Sequence, residues 1–245
     1  MAAFIFAIAL LASSSAFAND GITALTVTSA SGSEEYSVKL QILILMTLLG
    51  LVTPFLLMCT SYGYVIVVLS FVRQGLGLQQ SPPNMILNGI ALCLTILIMR
   101  PVGEEIYEKA YLPHEAGEIT FMEGLELASI PMKSFMLDQT KEQRIRQFQS
   151  IADDNTVDVE AAPFTILLPA YATTMMEKAF TAGFMILLFF LIIDIVTAAV
   201  LTSMGMIMLS PLIVSLIFKL LAFVVFDGWG MIMGSISRSF IFYGS

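Results

Sequence analysis

Residues 193–229 read IDIVTAAVLTSMGMIMLSPLIVSLIFKLLAFVVFDGW, an almost unbroken apolar run that carries Asp194, Lys219 and Asp227 and sets three methionines around one glycine. Charges inside a stretch long enough to span a bilayer mark a functional site, because each is expensive there unless paired. Asp194 and Lys219 lie 25 positions apart, and the middle of that interval falls in Met204-Gly205-Met206-Ile207-Met208, just before Ser210-Pro211. A turn there makes a helical hairpin. It sets both charges at one depth on facing legs, about 18–20 Å from the tip at a rise of about 1.5 Å per residue, where an Asp–Lys pair neutralises both.

The composition agrees. Of 245 residues, 58% are hydrophobic and 12% charged, against about 25% charged in a soluble domain, so the chain reads as an integral membrane protein. A net charge of −8 excludes a nucleic-acid partner, whose phosphates call for clustered Lys and Arg. Thirteen of the 19 acidic residues fall between Glu104 and Glu160, which divides the chain into apolar, acidic and apolar parts. The opening MAAFIFAIALLASSSAFA has an apolar core, a serine cluster and Ala16-Phe17-Ala18. Residues 1–18 therefore read as a signal peptide, although no Lys or Arg precedes the core, and an uncleaved anchor is the alternative. Residues 19–37, rich in Ser, Thr and Gly, read as a short mobile segment.

Residues 38–103 form an N-terminal hydrophobic hairpin. Its first block, Val38 to Val72, exceeds one span and is interrupted by Pro54 and Thr60-Ser61-Tyr62-Gly63, so it is one long kinked helix or two shorter ones. Arg73 closes it, a turn from Gln74 to Asn84 follows, and a second helix, Met85 to Met99, stops at Arg100-Pro101. Residues 104–162 are the acidic insert. Phe121, Leu125, Ala128, Met132, Phe135 and Met136 recur at helical spacing, with Pro131 as a boundary; Lys141 to Phe148 is amphipathic and Asp153-Asp154-Asn155 breaks it. Residues 163–245 are a C-terminal hydrophobic hairpin with an approach segment from Pro163 to Ala182 and spans at Phe180–Ser203 and Pro211–Phe226. Trp229 then suits a membrane interface. The expected fold is all-α and membrane-associated: helical hairpins with a small extracytoplasmic helical insert.

The methionines admit two readings. On a continuous helix Met204 and Met208 share a face and Met206 opposes them, whereas on an extended loop all three project to one side. Gly205 and Ser210-Pro211 favour the loop, and thioethers on a loop tip form a soft, adaptable surface. Cys59 and Cys93, each inside an apolar run, read as small buried hydrophobes with no metal spacing, and His114 reads as a solvated loop histidine.

The stretches LLMCTSYGYVIVVLSFVRQGLGLQQSPPNMILNGIAL (56–92) and LLPAYATTMMEKAFTAGFMILLFFLIIDIVTAAVLTSMGMIMLSPLIVSLIFKLLAFVVFDGW (167–229) resemble the two signature regions of the FliP family, export-gate proteins of the flagellar type III secretion apparatus. The combination of RQGLGLQQSPPN, SMGMIMLSP and FVVFDGW is specific to it. The resemblance implies a non-enzymatic pore subunit without cofactor or metal. It implies a homopentamer assembled with FliQ and FliR homologues, near FlhA and FlhB homologues, in the bacterial inner membrane at the flagellar basal body. N-terminus and insert would be periplasmic, and unfolded export substrates would pass through. It puts the pore gasket on Met204, Met206, Ile207 and Met208, the charge pair on Asp194 and Lys219, and the family's motif positions on Arg73, Gln79, Gln80, Pro82, Pro83, Asn84, Asp227 and Trp229. The family usually has methionine at the position of Ile207, and a β-branched residue stiffens the seal while keeping it apolar. Family patterns written TSFTR, ISELK and SLPFK are altered here around Ser61, Thr174 and Ile217, which marks a divergent member. An equivalent subunit of a virulence secretion system is the alternative. Two other classes are weaker. An intramembrane enzyme would have only Asp194 and Asp227, with no dyad, HExxH or P-loop, and a secondary transporter using Asp194 beside a helix broken at Gly205 lacks the expected internal repeat.

Overall fold

In the computed structural model of the chain, the described residues are 43–47, 50, 54–55, 57–78, 81–152, 158–206 and 209–240. The proposed signal peptide and the segment 19–37 lie outside them. Every regular element among the described residues is helical, as the hydropathy pattern requires.

From Tyr62 onward we name eight helices. α1 (Tyr62–Gly75) and α2 (Asn84–Ile98) form the first hairpin. α3 (Arg100–Glu115) leaves α2 at a bend of 57°; Pro101 sits in its first turn, where its missing N–H breaks no helical bond, and a π turn interrupts it at Tyr107–Tyr111. α4 (Phe121–Gln139) and α5 (Glu142–Ile151) complete the insert. α6 (Phe164–Ser203) is one helix of 40 residues, and α7 (Pro211–Val225) folds back along its second half. α8 (Gly228–Arg238) turns off α7 by 64°.

Three details depart from the sequence reading. The approach segment and third span are continuous in α6: Pro169 lies in its second turn, close enough to the start for little of the ladder to be lost. Pro131 is interior to α4 rather than at its boundary. A proline there costs about 3 kcal/mol, and burial of Phe135 and Met136 one turn on, each side chain contributing about 1.5–3 kcal/mol, more than offsets it. α8 had no counterpart in the sequence reading, because its apolar residues simply continue those of α7.

The first half of α6 is the spine of the body. α1 packs along it, and Val65, Val68 and Leu69 of α1 join Leu167, Ala170 and Tyr171 of α6, Phe135 and Met136 of α4, Ile145 of α5 and Ile236 of α8 in one core. The insert therefore shares its core with the hairpins. Polar contacts finish the seam: Glu177 of α6 pairs with Lys141 at 2.7 Å and Arg144 at 3.0 Å, and Lys178 donates to the Gln139 carbonyl at 2.9 Å. Phe71 of α1 lies so close to Gly183 of α6 that a Cβ there would collide with the ring, which is what lets the two helices approach. Beyond Gly183 the second half of α6 and α7 leave the body as a two-helix arm.

Among the described residues α6 is by itself long and apolar enough to cross a membrane, and α2–α3 and α7–α8 qualify only if each bent pair counts as one span.

Candidate functional site

The arm ends where the sequence places a glycine. Gly205 adopts φ +75°; its N–H donates to the Thr202 carbonyl and that of Met206 to the Leu201 carbonyl, both at 3.0 Å. These two bonds are a Schellman C-cap, which needs a left-handed residue at this position. Pro211 then opens α7 with its φ already set for a helix. The tip is therefore a loop. Met204 and Met206 are 67% and 40% exposed on it, while Ile207 and Met208 lie outside the described residues.

Behind the tip, Lys219 Nζ lies 2.7 Å from Asp194 Oδ2, joining α7 to α6 within one chain. The lysine side chain is 7% exposed and the aspartate 30%. Asp194 Oδ1 is buried and accepts no hydrogen bond among the described residues. The hydroxyls of the arm are satisfied locally: Thr197 donates to the Ile193 carbonyl, Thr202 to Ala198 and Ser203 to Val200. Such back-bonding lets a polar residue sit in an apolar helix face.

One turn below the ion pair, Phe190 of α6 and Phe223 of α7 meet Val72 and Leu76 of the first hairpin in a second, smaller core. Arg73, half-buried at the end of α1, donates through Nη1 to the Asn84 side-chain oxygen and at 3.5 Å to the Pro82 carbonyl. Pro83 is the N-cap residue of α2 and its carbonyl accepts from Ile86 and Leu87. Gln79 and Gln80 lie outside the described residues. At the other end of α7, Asp227 takes a left-handed conformation with φ 47° and its carboxylate accepts the Gly230 N–H at 3.3 Å, capping α8. Trp229 stands edge-on to Phe223 with ring centroids 5.3 Å apart.

The sequence reading missed two features. Gly75, Gly183 and Gly228 each receive a phenylalanine ring, from Phe190, Phe71 and Phe223, and a glycine's packing partner has no signature in sequence. The capping box of Thr120 and Glu123 at the start of α4 is legible as T-x-x-E. There the Thr120 backbone N–H, then its hydroxyl, holds the Glu123 carboxyl below its ordinary range. Cys93 needs correction: Cys59 is buried, but Cys93 is exposed, because it sits on the face of α2 opposite Leu87 and Ala91. It lines an apolar groove with Gly89, Ile90 and Trp229. His114 falls in the last turn of α3 rather than in a loop, exposed, with Nδ1 3.2 Å from the Ile119 carbonyl. Among the described residues no three His, Cys, Asp or Glu side chains converge as a metal site.

What the arrangement offers is a surface. Met185, Ile192, Ile195 and Val200 of α6 and Leu212, Ile213, Leu221, Val224 and Val225 of α7 are all more than half exposed. Apolar area on this scale is covered by lipid or by protein.

The model of the FliP family matches residues 45–236. The flagellar biosynthetic protein FliP of Pectobacterium carotovorum subsp. carotovorum is 40% identical over 210 residues, 85% of this chain and 81% of that protein. That of Bacillus subtilis is 39% identical over 217 residues, 88% of this chain and 98% of its own length, and that of Borreliella burgdorferi 41% over 214, covering 86% and 84%. The matched region takes in the Arg73 turn, the ion pair, the methionine tip and the Asp227 cap together, and the chain belongs to the FliP family.

Proposed function

We propose that the chain is a pore-forming subunit of the flagellar type III protein export gate, in the inner membrane at the basal body, and that unfolded export substrates pass through it. The relatives' names as flagellar biosynthetic proteins favour the flagellar over the virulence apparatus. The observation that carries the reading is the arm: two helices neutralised internally by Asp194 and Lys219, apolar on their outer faces, ending in exposed methionines. A ring of such arms buries the apolar faces between neighbours and brings flexible thioethers together at an axis. Met204, Met206, Ile207 and Met208 form the gasket in this assembly, with five copies joined by FliQ and FliR homologues, FlhA and FlhB homologues nearby, and the acidic insert on the periplasmic side.

Native mass spectrometry of the complex, purified with its co-expressed partners, tests the assembly. The expected species contains five copies with FliQ- and FliR-like subunits, and a monomer or simple dimer without them overturns the reading.

A further inference from the structure

The Arg73 turn touches the arm that carries the methionine tip. Gly75 and Leu76 stand two and three residues after Arg73. A Cβ at Gly75 would lie 2.5 Å from the Phe190 ring, and Leu76 is 2% exposed in the small core with Phe190 and Phe223. Gly77, at φ +77°, faces Leu216, 3.8 Å from where its Cβ would be. Phe190 precedes Asp194 by one turn, Phe223 follows Lys219 by one turn, and Leu216 lies three residues before that lysine. The turn thus braces both legs of the arm, at Phe190 and Phe223 below the ion pair and at Leu216 on its tip side. Its own shape is held from the far side by the Arg73 guanidinium on Asn84 and Pro82.

We infer that Arg73 is a positioning residue for the gasket: by clamping the turn to the start of α2 it sets the seat of Phe190 and Phe223, and so the angle at which the arm leaves the body. The consequence for sealing rests on the proposed pore function; the positioning itself does not. From Phe190 to Met204 the arm measures about 21 Å, so a tilt of about 10° at its base displaces the tip by about 4 Å.

The test is a distance measurement by double electron–electron resonance on the purified full chain, with spin labels at Leu212→Cys on the arm and Ser134→Cys on α4, in a Cys93→Ser background. Arg73→Ala should shift or broaden the distance distribution by several ångströms, and Arg73→Lys, which keeps a donor for Asn84, should recover most of it. Gly75→Ala should displace the arm from the opposite direction by pushing on Phe190, and Gly75→Ala with Phe190→Leu should return the distribution towards the parent. A distribution unmoved by Arg73→Ala and Gly75→Ala overturns the inference. So does a failure of the smaller leucine side chain to rescue Gly75→Ala, a pair that serves even if Arg73→Ala does not fold. Ion conductance of the assembled gate separates the two ideas: a displaced arm with unchanged conductance counts against the pore and leaves the positioning standing.

Discussion

Lys219 is the one charged side chain buried among the described residues, and Asp194 is its hydrogen-bonded partner. The two are not equivalent. Asp194 retains some exposure and can be partly rehydrated when its partner is lost, whereas Lys219 without Asp194 is a buried uncompensated cation. Removing one partner of a buried pair costs about 3–5 kcal/mol, while replacing both with apolar groups of similar volume is often neutral. Asp194→Ala is therefore expected to lower the stability of the purified protein by about that amount in a denaturation series, and adding Lys219→Met should restore most of the loss. A double variant no more stable than Asp194→Ala would show that the two side chains do not meet.

Among the elements, two helix ends make separate predictions. Gly205 closes α6 with a left-handed residue. A side chain in that conformation costs about 1–2 kcal/mol, so Gly205→Ala should lower stability by about that much, with Gly205→Asn milder because Asn tolerates the conformation. Equal effects of Ala and Asn would assign the loss to something other than backbone strain. At the start of α4, Glu123 accepts from the Thr120 N–H at 2.7 Å and from its hydroxyl at 2.9 Å, and the Glu123 N–H is turned to the same hydroxyl. These bonds lower the carboxyl pKa in the folded state. A lowered folded pKa means that the stabilisation is fully present above the unfolded value of about 4.3 and disappears as pH falls through the folded one. Amide exchange in the first turn of α4 should accelerate on acidification through that window relative to the rest of the helix, and Glu123→Gln should flatten the dependence. A pH response that survives Glu123→Gln would place the titrating group elsewhere.

For the whole molecule, the division between body and arm decides how a substitution is felt. The body has a shared core and protects its insert with buried Phe135, Ile145 and Tyr171. The ion pairs of Glu177 add little to that, since exposed pairs are screened and entropically costly. The arm has only the small core at its base and depends on a cover. On the proposed pore function, replacing Met206 and Met208 with alanine should leave the amount of assembled gate unchanged and raise its conductance to small ions, because the tip would then serve the seal and not the body. Unchanged conductance would remove those side chains from the constriction.

The all-helical architecture, the hairpin, its tip and the depth of its charges were legible in the sequence because each rests on local chemistry: hydropathy over about 20 residues, a glycine and a proline that stop and start helices, and charges at equal distance from a turn. Continuity of α6 through Pro169 and of α4 through Pro131 was not legible, since burial against other helices outweighed the local signal. Nor were the exposure of Cys93, the seating of three phenylalanine rings on three glycines, and the contact of the Arg73 turn with the arm. Those depend on which helix faces which, a choice made by packing over separations such as that from Gly75 to Phe190, which no local pattern encodes.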